Sequence, residues 1–225
     1  LGRTREDALL RFAARTGDPA TQIQLGEEFA AKFPQSHYLD GVYGTLTSAY
    51  FGMGNTDKMF EAGTKALALN PDNVDVLSLL AMAIPRRVHA NTPDGAQQLQ
   101  KAEGYAHHVI ELIPTLPKPD EVDDATFEKA KNDKLSLAHS GLGLIYINHS
   151  KFDDARTELT QAVQLASSPD PVDYYLLGNA DVGASYYHDA VSAYEKCVAA
   201  GGQLAAPCKA RMDSAQHDAE TKLGR

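Results

Sequence analysis

The residues of this 225-residue chain that could do chemistry are eight histidines, two cysteines and many carboxylates, with 30 Asp and Glu against 21 Lys and Arg. His107 and His108 are adjacent, so on a helix they diverge by about 100°, whereas two metal ligands on one helix want i and i+4 spacing. His139, His149, His188 and His217 stand alone in the sequence. The carboxylates are scattered as they are on solvated helix faces, and no acid/base pair stands out among them. The chain has no Gly-x-Ser-x-Gly nucleophile turn and no Gly-rich phosphate loop ending in Gly-Lys-Ser/Thr. Gly141-x-Gly143 begins a dinucleotide-like pattern, but it lacks the third glycine and lies inside a helical stretch, so it reads as helix packing. Asn148-His149-Ser150 matches a glycosylation acceptor, which matters only in a eukaryotic secretory protein. No catalytic residue, no cofactor, no metal and no small-molecule substrate is therefore expected, and the chain does not read as an enzyme.

The cysteines carry more information. Cys197 precedes Gly201-Gly202, which breaks a helix, and Cys208 opens the next helix after Pro207. Two antiparallel helices joined by so short a turn bring such residues side by side, within the roughly 4.4–6.8 Å between Cα atoms that a disulfide needs. The alternative is a pair of buried thiols acting as small core residues. A disulfide implies a compartment outside the cytoplasm, because reducing compartments rarely keep structural disulfides; free thiols would leave the cytoplasm open.

What must position these residues is helical. Trp is absent, apolar residues make up 43% of the chain, and β-branched residues never form the alternating runs of strands. Ala, Leu, Glu, Lys and Gln fill long stretches instead. The net charge of −9 argues against nucleic acid as a partner, and no stretch approaches the roughly 18–20 apolar residues of a membrane-spanning helix.

The helical stretches repeat. Tyr174-x-x-Leu177-Gly178, then Ala190-x-x-x-Tyr194 and Cys197, matches Leu142-Gly143-x-x-Tyr146, then Ala155-x-x-x-Leu159 and Ala162, at an offset of 35 residues. A third copy is Tyr43-x-x-Leu46, Tyr50, Met59, Ala66 and Pro71, with Gly54-Asn55 as the turn. Small residues at Gly143, Gly178, Ala155 and Ala190 let helices approach, and large ones at Tyr146, Leu159, Tyr174 and Tyr194 fill the space between them. The pattern resembles the tetratricopeptide repeat (TPR), two antiparallel helices A and B over about 34 residues. Two positions depart from it: Asp181 stands where the preceding copy has Tyr146, and Gly63 stands where helix B usually carries a large residue. Both predict local looseness or contacts with a neighbouring irregular segment.

The resemblance implies an all-α, right-handed α-solenoid of stacked helix–turn–helix pairs, forming a single array over 1–225. Residues 4–36 read as a degenerate repeat, with a helix to about Arg15, a turn at Thr16–Pro19 and a second helix to Phe33. Repeat one follows at 40–73. Repeat two covers 74–114, with Leu77, Leu80, Ala81 and Ile84 on helix A, Ala102, Ala106 and Val109 on helix B, and a looped insertion at 85–95 beginning at Pro85. An acidic, Pro-rich connector at 115–125 leads to repeat three at 126–169, repeat four at 171–202 and a capping helix at 204–223. Phe33-Pro34-Gln35-Ser36-His37-Tyr38 is similar to the F-P-x-S-x-Y junction of bacterial cell-envelope TPR proteins, with Pro34 stopping one helix and Ser36 capping the next.

In the family, helix A lines a concave groove. The corresponding residues are Ser48, Phe51, Ser78, Met82, Ser140, Leu144, Ile147, Tyr175 and Asn179. The chaperone-binding TPR class clamps a terminal carboxylate with Lys, Arg and Asn; this chain has Gly44, Ser78, Ser140 and Tyr175 at the fifth position of helix A, so that clamp is not supported. The resemblance implies a protein or peptide partner, an extended peptide or a partner helix, held in the groove without chemical turnover, with Tyr175 as the anchor. An architectural role in envelope assembly, using the convex face or the ends, is the competing reading. The expected location is a bacterial periplasm or the secreted fraction. The sequence starts at Leu1 without Met or a signal peptide, and lipid anchoring through an upstream segment is compatible with this reading.

Overall fold

The computed structural model describes residues 17–88 and 91–222. The expected helix ending near Arg15 lies outside the described residues. Ten α-helices and no strand occur among them: α1 Pro19–Lys32, α2 Leu39–Gly52, α3 Thr56–Leu69, α4 Val74–Arg87, α5 Gly95–Leu112, α6 Asp124–Asn148, α7 Phe152–Leu165, α8 Pro171–Gly183, α9 Tyr187–Ala200 and α10 Ala205–Thr221. The fold is all-α and built from antiparallel helix pairs. The chain divides into two compact units, with the boundary between Leu80 and Ala81.

In the first unit α2 packs on α1 and on α3. Asp18 starts α1 by accepting the Thr21 N–H at 2.9 Å, with Pro19 in the first turn. Pro34 ends that helix as expected, but Ser36 does not cap α2. Tyr38 occupies the cap position without a side-chain bond, and the Ser36 hydroxyl accepts the Tyr38 N–H at 3.2 Å. Ser36 is spent on the turn before the helix, the local bond its short hydroxyl reaches most readily. Asn55 caps α3 through the Lys58 N–H at 3.3 Å.

The Gly63 position is not loose. A Cβ there would sit 3.0 Å from Leu80, so the leucine fills the space that a large helix-B residue normally occupies. Its counterpart on α2 is Thr47, fully buried, where the other copies have glycine. The large residue that packs over Gly63 comes from α4, the first helix of the next pair.

In the second unit consecutive helices from α5 to α10 pack in sequence, and α8 also touches α6. The small-into-large pattern holds here. A Cβ on Gly143 would meet Leu159 at 2.4 Å, and one on Gly178 would meet the Tyr194 ring at 2.5 Å. Ala102, Ala106, Val109, Ala155, Leu159, Ala162 and Ala190 are wholly buried.

The insertion in repeat two begins later than the sequence suggests, because α4 runs through Pro85 to Arg87. Pro85 has no N–H to offer the Ala81 carbonyl, which normally breaks a helix. Here that carbonyl faces Gly141 of α6, where a Cβ would lie 2.2 Å from its oxygen. The glycine accommodates the freed carbonyl, and α4 resumes with the Val88 N–H on the Ile84 carbonyl at 2.9 Å.

The three well-formed A–B turns share one backbone path. Gly54, Ser150 and Ser185 have φ of 69°, 57° and 68°, and the N–H of the following residue returns to the carbonyl of Tyr50, Tyr146 and Asp181 at 2.9, 2.9 and 2.8 Å. Asp181 is thus the structural counterpart of Tyr146, as the sequence alignment has it.

Candidate functional site

The predicted groove residues fall into three groups. Ser48 and Phe51 on α2 are exposed, and Phe51 leaves 46% of its surface in solvent. Leu144, Ile147, Tyr175 and Asn179 are half-buried. Leu144, Ile147 and Tyr175 pack on the core of Ala155, Leu159, Leu176 and Ala180. The Asn179 side-chain carbonyl accepts the Tyr194 hydroxyl at 2.8 Å. Ser78, Met82 and Ser140 are buried, at 1%, 3% and 1% exposure, and line no surface. The reason for Ser78 and Met82 is legible in α4, whose core-type residues run almost unbroken from Val74 to Ile84 and are buried on every side. The Ser78 hydroxyl is spent on the Asp75 carbonyl at 3.1 Å.

Ser140 belongs to a charged cluster that the sequence did not indicate. Arg86, near the end of α4, reaches Asp170 at 2.7 Å, Asp173 at 3.0 Å and the Ser140 hydroxyl at 3.1 Å. Ser140 in turn donates to Asp173 at 2.5 Å. Asp170 also caps α8 through the Val172 N–H at 2.9 Å. Three helices that begin their pairs, α4, α6 and α8, therefore meet on one guanidinium. Burial raises the Asp173 pKa, against the pull of Arg86 and Ser140. Both bonds to Asp173 fall on one carboxylate oxygen, and the cluster ties the three helices together.

A second ionic tie lies near the C-terminal end of α8. Arg156 of α7 donates to buried Asp181 through Nε and to Asp189 at 2.8 Å, while its guanidinium stacks 3.5 Å from the Tyr186 ring centroid. Burial pushes the Asp181 carboxyl up to about 6. The expected looseness at Asp181 is thus replaced by a packed ion pair. The only warning in the sequence was the anomaly itself, an acid in an aromatic slot.

A cleft of about 280 Å³ opens between α1, α2 and α3. Tyr43, Leu46 and Tyr50 form its inner wall, and Glu27, Lys58, Glu61 and Lys65 its rim. Glu27 accepts both the Tyr50 hydroxyl and, at 2.8 Å, Lys58; the Lys58 and Tyr50 hydrogen bonds hold its pKa below the usual carboxylate range. The Glu27 bond raises the Lys58 pKa, and the Glu61 bond raises that of Lys65. Both amines therefore stay charged at neutral pH and are poor nucleophiles.

His139 does not stand alone in space, since its Nδ1 lies 2.6 Å from Glu158. Among the described residues no three His, Cys, Asp or Glu side chains gather as metal ligands would, and no helix is long and apolar enough to cross a membrane. Cys197 and Cys208 are fully buried and paired, with Cα atoms 6.0 Å apart.

The arrangement is that of a tetratricopeptide-repeat fold. A thermophilic TPR protein of Thermus thermophilus is similar over 94% of this chain and 99% of its own, with 18% identity and a TM-score of 0.56. A TPR protein of Parabacteroides merdae aligns over 94% and 91% of the two chains at 14% identity, with a TM-score of 0.41. No family model matches the chain, and no curated protein matches it in sequence. What is shared is the fold.

Proposed function

We propose that this protein is a non-enzymatic scaffold that holds an extended peptide or a partner helix against the first helices of its pairs. The observation that carries the reading is Phe51, a large apolar side chain left 46% exposed at a position where the TPR pattern places a groove. Ser48, one turn earlier, is exposed beside it. Phe51 is a better anchor than Tyr175, which is half-buried and leans on Tyr194 with ring centroids 6.2 Å apart. Leu144, Ile147 and Asn179 offer further edges in the second unit. The Cys197–Cys208 pair supports a location outside the cytoplasm, periplasmic or secreted.

An architectural role for the opposite face is the second reading, favoured by the cleft between α1 and α3. A photoactivatable crosslinker separates the two when placed at Phe51 or at Lys65 in the living source cell. Crosslinks from position 51 that are lost on competition with unlabelled protein, but not with its Phe51→Ser variant, support the groove. Because Phe51 is half out in solvent, Phe51→Ser should leave the thermal midpoint nearly unchanged while weakening a partner by about tenfold or more. Crosslinks confined to position 65 would overturn the groove reading.

A further inference from the structure

In the first unit α1 and α3 both pack on α2, and the cleft of about 280 Å³ lies where the three meet. Its inner part is apolar. Leu46 of α2 is buried beneath it, and Ala30 of α1 and Ala62 of α3 bring only methyl groups to its sides. Tyr43 and Tyr50 lie two turns apart on α2, and Lys65 and Lys58 two turns apart on antiparallel α3. Each amine therefore sits over one ring, Lys65 5.6 Å from the Tyr43 centroid and Lys58 5.3 Å from that of Tyr50. Glu27 takes Lys58 at 2.8 Å, and Glu61 takes Lys65 at 2.7 Å. These bonds hold both carboxylates below their usual pKa range and both amines above theirs. All four groups are charged at neutral pH, so the rim carries both signs and no net charge. Neither sign is used up. An ammonium has three N–H donors, and each lysine gives one to its glutamate. Glu27 and Glu61 each accept through Oε1, which leaves Oε2 of each to a ligand.

We propose that this cleft is a binding site for a free α-amino acid with an aromatic or branched apolar side chain. Size sets the first limit. The volume falls just below the roughly 300–1,000 Å³ of pockets that take drug-sized molecules, so the occupant is one ring or one branched chain with its polar head. Charge sets the second. A ligand of one sign meets as much repulsion at this rim as attraction, whereas one that carries both signs on neighbouring atoms pairs with both. Glu61 lies between Lys58 and Lys65 on one face of α3, three residues from the first and four from the second. A ligand ammonium on Glu61 thus has an amine on either side for the carboxylate beside it. The side chain then lies over Leu46 between the two tyrosines, where an aromatic ring gains most. The site binds without making or breaking a covalent bond. The inference stands apart from the groove reading, which rests on Phe51.

The test titrates the full chain, isotope-labelled, with L-phenylalanine, L-leucine and glycine while its amide resonances are followed. L-Phenylalanine or L-leucine should saturate the protein with a Kd of about 1 mM or tighter and shift amides of α1, α2 and α3. Glycine lacks the apolar part and should not saturate. Phenylpropionate and phenethylamine keep the ring and one charge each; both should bind at least about tenfold more weakly than L-phenylalanine. Glu61 and Lys65 are exposed, so Glu61→Gln and Lys65→Gln should keep the parent's circular dichroism and thermal midpoint. Each should lose about tenfold of the affinity for L-phenylalanine. The inference is overturned if neither apolar amino acid saturates the chain, or if a singly charged analogue binds as well as L-phenylalanine. Shifts confined to helices other than α1–α3 overturn it too, as does full affinity in both folded variants.

Discussion

Neutralising Asp181 should change the pH dependence of stability in a direction opposite to the usual carboxylate. Asp181 is 2% exposed, and its pKa is raised from 3.8 to about 6, chiefly by burial. The folded chain therefore holds this proton more tightly than the unfolded chain, and the group contributes stability that is present at low pH and lost as pH rises through about 6. At about 1.36 kcal/mol per pH unit, the whole displacement is worth about 3 kcal/mol, lost between about pH 4 and 6. Asp181→Asn keeps the shape and an acceptor for the Arg156 Nε–H, and Arg156 retains Asp189 at 2.8 Å and the Tyr186 ring. Urea unfolding followed by circular dichroism, for both chains between pH 4.5 and 7.5, isolates the effect because every other group cancels in the difference. The variant should gain on the parent by about 2 kcal/mol over that range, the rest of the displacement lying below pH 4.5. A difference that stays flat would mean that the charge of Asp181 is well solvated. A difference of opposite slope would mean that Arg156 attracts it more than burial penalises it; either result refutes the argument.

Three further outcomes follow from the packing. Gly141→Ala should cost about 1–3 kcal/mol, since its Cβ would meet the Ala81 backbone oxygen at 2.2 Å, an atom that no rotamer change can move; an unchanged denaturation midpoint would show that α4 and α6 lie further apart. Ser185→Gly should stabilise by about 0.5–1 kcal/mol, because φ at 68° strains a side chain and glycine relieves it at some cost in unfolded-state entropy; a lower thermal midpoint would contradict this. Protein purified without reductant should show no free thiol when denatured under non-reducing conditions, and two titratable thiols would remove both the bond and the argument for compartment.

The periodicity of small and large residues was enough to read most of the helix pairs, because close approach at Gly143 and Gly178 has no other solution than a large side chain one helix away. Where the reading went astray, the cause was a second constraint acting on the same residue. Ser78 and Met82 sit at groove positions of the pattern, but α4 is apolar on all sides, and burial took precedence over register. Ser36 looked like a cap, but a nearer N–H claimed its hydroxyl. Arg86 was unreadable for another reason. Its partners Ser140, Asp170 and Asp173 are separated from it by 54 to 87 residues, and nothing in a local window links an arginine after a proline to a cap residue two helix pairs away.

One structural slot shows how far such freedom goes. Tyr50, Tyr146 and Asp181 each give their carbonyl to the same turn bond, so the backbone demands nothing of the side chain. Each neighbourhood then settles the side chain differently. Tyr50 reaches back to Glu27 of the preceding pair, which Lys58 also holds. Tyr146 is raised in pKa by burial and by Glu103, Glu158 and Asp154 nearby, with Lys151 lying 5.6 Å from its ring centroid. Asp181 gives up the ring altogether and takes Arg156, a side chain of the preceding pair's second helix. In the first and third cases a polar bond runs backward from one pair to the one before it, and in both the partner is a charged residue on a B helix. Stacked pairs need only apolar area to adhere, and apolar area does not fix their angle or spacing. Directional bonds of this kind do, since a buried carboxylate misaligned with its guanidinium is costly. The polar exceptions within an otherwise apolar repeat are therefore where the stacking geometry of each unit is set, and the pH dependence expected of Asp181 reads the cost of burying its charge at such a place.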